Sequence, residues 1–185
     1  MWGPVRRPQA APRTARRGAI DLSRAMIVNR QSRIPVSLRE LDTFLIRARR
    51  RLRLPKNSFT VCLVTDGEIA RWNRAYRGKS GPTDVLSFAT NARKTKRRRG
   101  RNGRVRRDDR LDAAAANHSA QYIGDIAIAP AVAKRNASRF GRTFNDEMRI
   151  LILHGILHLM GYDHEADDGQ MERRENKLRR ELRLV

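Results

Sequence analysis

His154-Gly155-Ile156-Leu157-His158-Leu159-Met160-Gly161-Tyr162-Asp163-His164 holds three of the four histidines in a chain of 185 residues. The apolar spacing around it predicts a helix over 147–160, and on a helix residues four apart share one face, so the rings of His154 and His158 stack one above the other. Two imidazoles so placed can share one metal ion. Gly161 suits a left-handed helix end, which a side chain would resist, and the turn it permits can bring His164 to the same point. Three neutral imidazoles on one side of a cation leave a fourth position for water, the arrangement of a catalytic zinc site rather than a closed structural one. The spacing equals that of the extended zinc-protease pattern H-E-x-x-H-x-x-G-x-x-H. The protease carries its general base directly after the first histidine. Here that position is Gly155, which has no side chain to accept a proton.

Around this stretch the sequence alternates strands and helices. Met26 to Asn29 reads as an edge strand and Phe59 to Val64 as a buried one. Ser37 with Glu40, and Thr65 with Glu68, have the spacing of capping boxes that open helices at Leu38 and after Thr65. The second helix carries Ile69, Trp72, Asn73 and Tyr76 at helical spacing and stops at Gly78. Val85 to Phe88 and Tyr122 to Ala129 are strands, Pro130 opens a short helix, Asn145 is the expected cap of the histidine helix, and Asp168 to Leu182 closes the chain as a helix. On the histidine helix, Met148, Ile152 and Leu159 are expected to face the core. The order β, α, β, α, β, β, α, α, α predicts an α+β domain: a small mixed β-sheet covered by helices, zincin-like, with the three-histidine site on a C-terminal helix and turn.

Charge narrows the partners. Lys and Arg number 41 against 19 Asp and Glu, a formal charge of +22. Residues 91–110 hold eleven Arg or Lys and two Asp, and residues 1–24 hold six Arg and one Asp. An excess of this size exceeds what solubility needs and favours a polyanionic partner, nucleic acid above all. Residues 1–25 are expected to be a disordered basic extension. A basic disordered insert over about 91–118 then interrupts a single domain spanning 26–185. The extension has the composition of an organelle transit peptide, although Met26, directly before the first strand, reads as the better start. Cys62 is the lone cysteine, so neither a disulfide nor a cysteine metal site is available; it reads as packing in a reducing compartment. No apolar run approaches a membrane span, and a cytoplasmic location is expected.

The turn Tyr76-Arg77-Gly78-Lys79-Ser80-Gly81-Pro82-Thr83-Asp84-Val85-Leu86-Ser87-Phe88 offers guanidinium and backbone N–H donors suited to a phosphate. Together with the strand Ile123-Gly124-Asp125-Ile126 and the His154–His164 run, it resembles the YbeY family of metal-dependent endoribonucleases, also called ribosomal RNA maturation factors. The likeness spans roughly residues 26–182. It implies a single-strand-specific endoribonuclease that matures the 3′ end of small-subunit 16S ribosomal RNA and serves ribosome quality control. One zinc ion would be held by His154, His158 and His164, and Arg77 matches the family's functional arginine. Expected partners are single-stranded and ribosomal RNA and the ribosome or its small-subunit precursor, with neither membrane nor DNA. The chain departs from the family pattern at Ala89, where proline commonly follows Ser-Phe, in its longer and more basic insert, and in its N-terminal extension. His118, inside the insert, receives no role.

With Gly155 in the base position, metal-bound hydroxide or a carboxylate, Asp163 or Asp125, is left to accept the proton; either Asp can instead orient a histidine. Two other readings stay open at this level. One is a metalloprotease, on histidine spacing alone. The other is a non-catalytic assembly factor in which zinc pins the fold.

Overall fold

The computed structural model describes residues 26–90, 122–163 and 167–184. The basic extension, the insert with His118, and His164 lie outside the described residues.

Strands β1 (Ile27–Asn29), β2 (Phe59–Leu63), β3 (Val85–Ala89) and β4 (Gly124–Ile128) form one sheet in the order β1-β2-β4-β3. β1, β2 and β4 run parallel, and β3 pairs antiparallel with β4, with Ser87 opposite Ile126 and Phe88 opposite Asp125. The mixed sheet expected from the element order is therefore present, and among the described residues β3 is one of its edges. The helices are α1 (Leu38–Arg51), α2 (Asp66–Arg77), α3 (Pro130–Arg139), α4 (Phe144–Leu159) and α5 (Gln170–Leu182). None of them is long and apolar enough to cross a membrane.

Period-two alternation divides the sheet into two faces. Phe59, Val61 and Leu63 of β2, with Ile126 and Ile128 of β4, pack against Leu41 and Leu45 of α1, Met148, Ile152 and Ile156 of α4, and Met171 and Leu178 of α5. The opposite face is covered by less: Ile69 and Trp72 of α2 meet Cys62, Leu86, Phe88 and Ala127. Cys62 is thus a packing residue, and burial pushes its thiol above the ordinary range.

α4 is the central helix. Met148, Ile152 and Leu159 are buried as expected, but so are Ile150, Leu151, Leu153, Ile156 and Leu157. A helix apolar on nearly every side must be enclosed on nearly every side. β3, β4, α1, α3 and α5 supply that enclosure.

Two of the expected caps are corrected. Ser37 sits before α1 but makes no side-chain capping hydrogen bond. At α4 the cap is Thr143, whose Oγ1 accepts from the Asp146 amide at 3.1 Å. Asn145 lies inside the first turn and donates to Glu40 Oε2 at 2.8 Å, a tertiary bond that local spacing cannot foretell. The Thr65–Glu68 box is formed in full: Thr65 Oγ1 accepts from the Glu68 amide, and Glu68 Oε2 accepts from the Thr65 amide.

Candidate active site

α4 approaches the sheet at Gly155. A Cβ built there would stand 2.7 Å from the Ile126 Cγ2 atom, so any larger residue forces the helix or Ile126 to shift. Ser87 reinforces the approach by donating its hydroxyl to the Gly155 carbonyl at 3.3 Å. Glycine after the first histidine is thus a condition of helix–sheet contact as well as the loss of a side-chain base.

With α4 so placed, His154 and His158 emerge beside the edge strand. Their Nε2 atoms stand 3.1 Å apart, and their ring centroids 4.7 Å apart. Each Nδ1 is engaged elsewhere. His154 Nδ1 lies 2.9 Å from Glu175 Oε2 on α5, and His158 Nδ1 lies 3.0 Å from the Tyr162 carbonyl. A carboxylate and a carbonyl only accept, so both Nδ1 atoms carry the protons and both Nε2 atoms present lone pairs. Two lone pairs at this distance repel unless a proton or cation lies between them. Two imidazole nitrogens bound to one tetrahedral zinc stand roughly 3.3 Å apart, so the pair fits such an ion. The third expected ligand, His164, lies outside the described residues, and no cluster of three metal-ligating side chains forms among the described residues.

The supports of this pair follow from local structure. α4 ends at Leu159 with Met160 as its C-cap, Gly161 adopts φ +92, and the Tyr162 amide returns to the Leu157 carbonyl at 3.1 Å. That reversal, cheap only for glycine, carries the Tyr162 carbonyl back to His158. Glu175 was missed by sequence reading. It is 7 % exposed and receives Arg179 Nε at 3.0 Å. Burial opposes its charge, but the hydrogen bond from His154 and the Arg179 guanidinium hold its carboxyl below the usual range. A signal was present: Met171, Glu175, Leu178 and Leu182 form the buried stripe of α5, with one carboxylate among apolar residues.

The histidines open onto a cleft of about 730 Å³ that runs along β3. Arg77, Tyr76, Asp84, Ser87, Tyr162 and Asp163 share its walls. Arg77 is the last residue of α2, which Gly78 terminates at φ +66. The turn that follows is pinned by Asn73 Nδ2, which donates to the Gly81 carbonyl at 3.0 Å. Asp84 also holds it, accepting from the Val85 amide at 2.8 Å and from Asn136 Nδ2 at 2.9 Å. Arg77 and the histidines, far apart in sequence, are thereby brought to one cleft. Of the two candidate carboxylates, Asp163 lines the cleft and Asp125 does not. Asp125 accepts from the Tyr122 hydroxyl, which also lies 2.8 Å from Thr60 Oγ1.

Comparison with known proteins gives this fold and cleft a class. A protein from Koribacter versatilis named endoribonuclease YbeY is 35 % identical over 159 residues, covering 86 % of each chain. One of the same name from Acidothermus cellulolyticus is 37 % identical over 118 residues, 64 % of this chain and 65 % of that one. A solution structure from Thermotoga maritima shares the fold with a TM-score of 0.50 and 25 % identity, over 84 % of this chain and 87 % of the other. The class is that of the nucleases, hydrolases of nucleic acid. Within it the match is specific: the family profile described as endoribonuclease YbeY covers residues 26–183, and this chain belongs to the YbeY family.

Proposed function

We propose that the chain is a zinc-dependent, single-strand-specific endoribonuclease. It acts in the cytoplasm on the 3′ end of small-subunit 16S ribosomal RNA and in ribosome quality control. The observation that carries the reading is the convergence of the two His Nε2 atoms in a cleft that Arg77 also lines, in a chain of an endoribonuclease family.

His154 and His158, with His164, would hold the ion. When bound, zinc supplies Lewis acidity to a phosphate oxygen or lowers the pKa of a water. The chain's own residues do the rest. Glu175 and the Tyr162 carbonyl keep both rings in the tautomer whose Nε2 can ligate. Arg77 presents a permanent positive charge to the scissile phosphate and stabilises the charge that builds on it during cleavage. Asp163, which lines the cleft, would accept a proton or orient a histidine. Asp125 does not line the cleft and accepts from the Tyr122 hydroxyl.

Zinc analysis of the purified protein, coupled to cleavage of a defined single-stranded RNA, tests the proposal. His154→Ala and Arg77→Ala should each abolish cleavage while circular dichroism stays native. Wild-type cleavage by either variant sinks the assignment. Bound RNA without products at any zinc loading would instead support a non-catalytic assembly factor.

A further inference from the structure

Tyr76 breaks the pattern of its own helix. Ile69, Trp72, Asn73 and Tyr76 follow one another at helical spacing on α2, and Ile69 and Asn73 are buried. Tyr76 is 56 % exposed. Among the described residues β3 is the outermost strand on this side of the sheet, and Tyr76 stands in the last turn of α2, just before the Gly78 stop. Beneath Tyr76 lies Phe88, with ring centroids 5.0 Å apart and planes inclined at 68°. Phe88 is gripped on another side by Trp72 at 6.0 Å and 90°. Edge-to-face pairs of this kind hold a ring in place at little entropic cost. The result is a large aromatic ring, propped from below and open to solvent, on the wall of the cleft that holds His154, His158 and Arg77.

We propose that Tyr76, supported by Phe88, is a stacking platform for an unpaired base of the RNA beside the scissile phosphate. This deepens the endoribonuclease reading and rests on it. The cleft's chemistry selects the occupant. Arg77, the next residue along, places a phosphate-binding charge beside the ring, and a nucleotide is the ligand that offers a phosphate and a flat π-face at adjacent positions. A base inside a duplex keeps both faces stacked on its neighbours and cannot engage Tyr76. The platform therefore supplies a physical basis for single-strand preference, which Arg77, directed at phosphate, and the histidines, which would hold the ion, do not. Every base has a π-face, so the platform selects unpaired nucleotides with little regard to their identity.

The test uses full-length protein carrying His154→Ala, so that RNA survives the titration, with Tyr76 retained or changed to Phe, Trp or Ala. Short single-stranded RNAs carry 2-aminopurine at successive positions, and affinity is read by fluorescence anisotropy. With Tyr, Phe or Trp at 76, 2-aminopurine at one position should be quenched on binding. Tyr76→Ala should lose that quenching and weaken single-strand binding roughly fivefold or more, while duplex binding is unchanged. Undiminished affinity and quenching in Tyr76→Ala overturn the platform. So does a loss in Tyr76→Phe as large as in Tyr76→Ala, which would assign the role to the hydroxyl. Separately, protein with both His154 and Tyr76 intact is assayed for cleavage with zinc. Absent cleavage with binding and quenching intact overturns the activity alone; cleavage with binding indifferent to position 76 overturns the platform alone.

Discussion

Glu175 Oε2 lies 2.9 Å from His154 Nδ1, joining the closing helix to the histidine helix through the nitrogen that faces away from the cleft. The carboxylate fixes the ring's tautomer and orientation, with the Nε2 lone pair turned toward the cleft. Glu175→Gln, which keeps the shape but loses the charge, should weaken zinc binding roughly 10- to 100-fold in a chelator competition. Glu175→Ala should do the same and also lower thermal stability, because Arg179 loses its carboxylate partner. Unaltered zinc affinity in Glu175→Gln would show that the contact is structural only.

Gly155 is sealed by Ile126. Gly155→Ala forces its new Cβ into a fully buried side chain and should destabilise the fold by about 1–3 kcal/mol in urea denaturation. Gly155→Glu, which writes the protease pattern into the chain, should fold poorly and acquire no peptidase activity, since the glutamate has no room beside the sheet. A stable Gly155→Glu protein that cleaves peptides would contradict the packing argument.

The two capping-box sequences predict unequal consequences. Thr65→Ala removes a formed box and should cost about 1 kcal/mol. Ser37→Ala removes a hydroxyl that makes no cap bond and should change stability by less than about 0.5 kcal/mol. Equal losses in denaturant titrations of the two variants would refute the distinction.

Tyr122 should ionise late. Burial and donation to the Asp125 carboxylate push its hydroxyl up to about 12, against about 10 in an unfolded chain. The folded state therefore holds this proton more tightly than the unfolded one. Its stabilising contribution is complete below about pH 10 and is lost as pH rises toward 12. Asp125→Asn should bring the transition down toward the ordinary tyrosine value in ultraviolet titration at alkaline pH. A transition unmoved by Asp125→Asn would leave burial as the whole cause.

Much of the fold was legible because it rests on short-range rules. Hydrophobic period and turn glycines placed the four strands and five helices of the described residues in order, and the Thr65 box and the Gly78 stop occur where their residues stand. The errors lie where a tertiary partner outbid a local one. Asn145 reaches Glu40 instead of capping α4. Glu175 escaped notice because a carboxylate on a buried stripe reveals its partner only once α5 is docked on α4.

By itself the sequence determined that His154 and His158 share a helix face, that Gly161 reverses the chain, and that the YbeY pattern is present, since these depend on spacing of a few residues. Only the tertiary structure decided that both Nδ1 atoms are occupied while both Nε2 atoms converge, that Arg77 lines the same cleft, and that Ile126 fills the space beside Gly155. Those relations join residues tens of positions apart, and the hydrophobic burial that docks α2, α4 and α5 around one sheet is what brings them within reach.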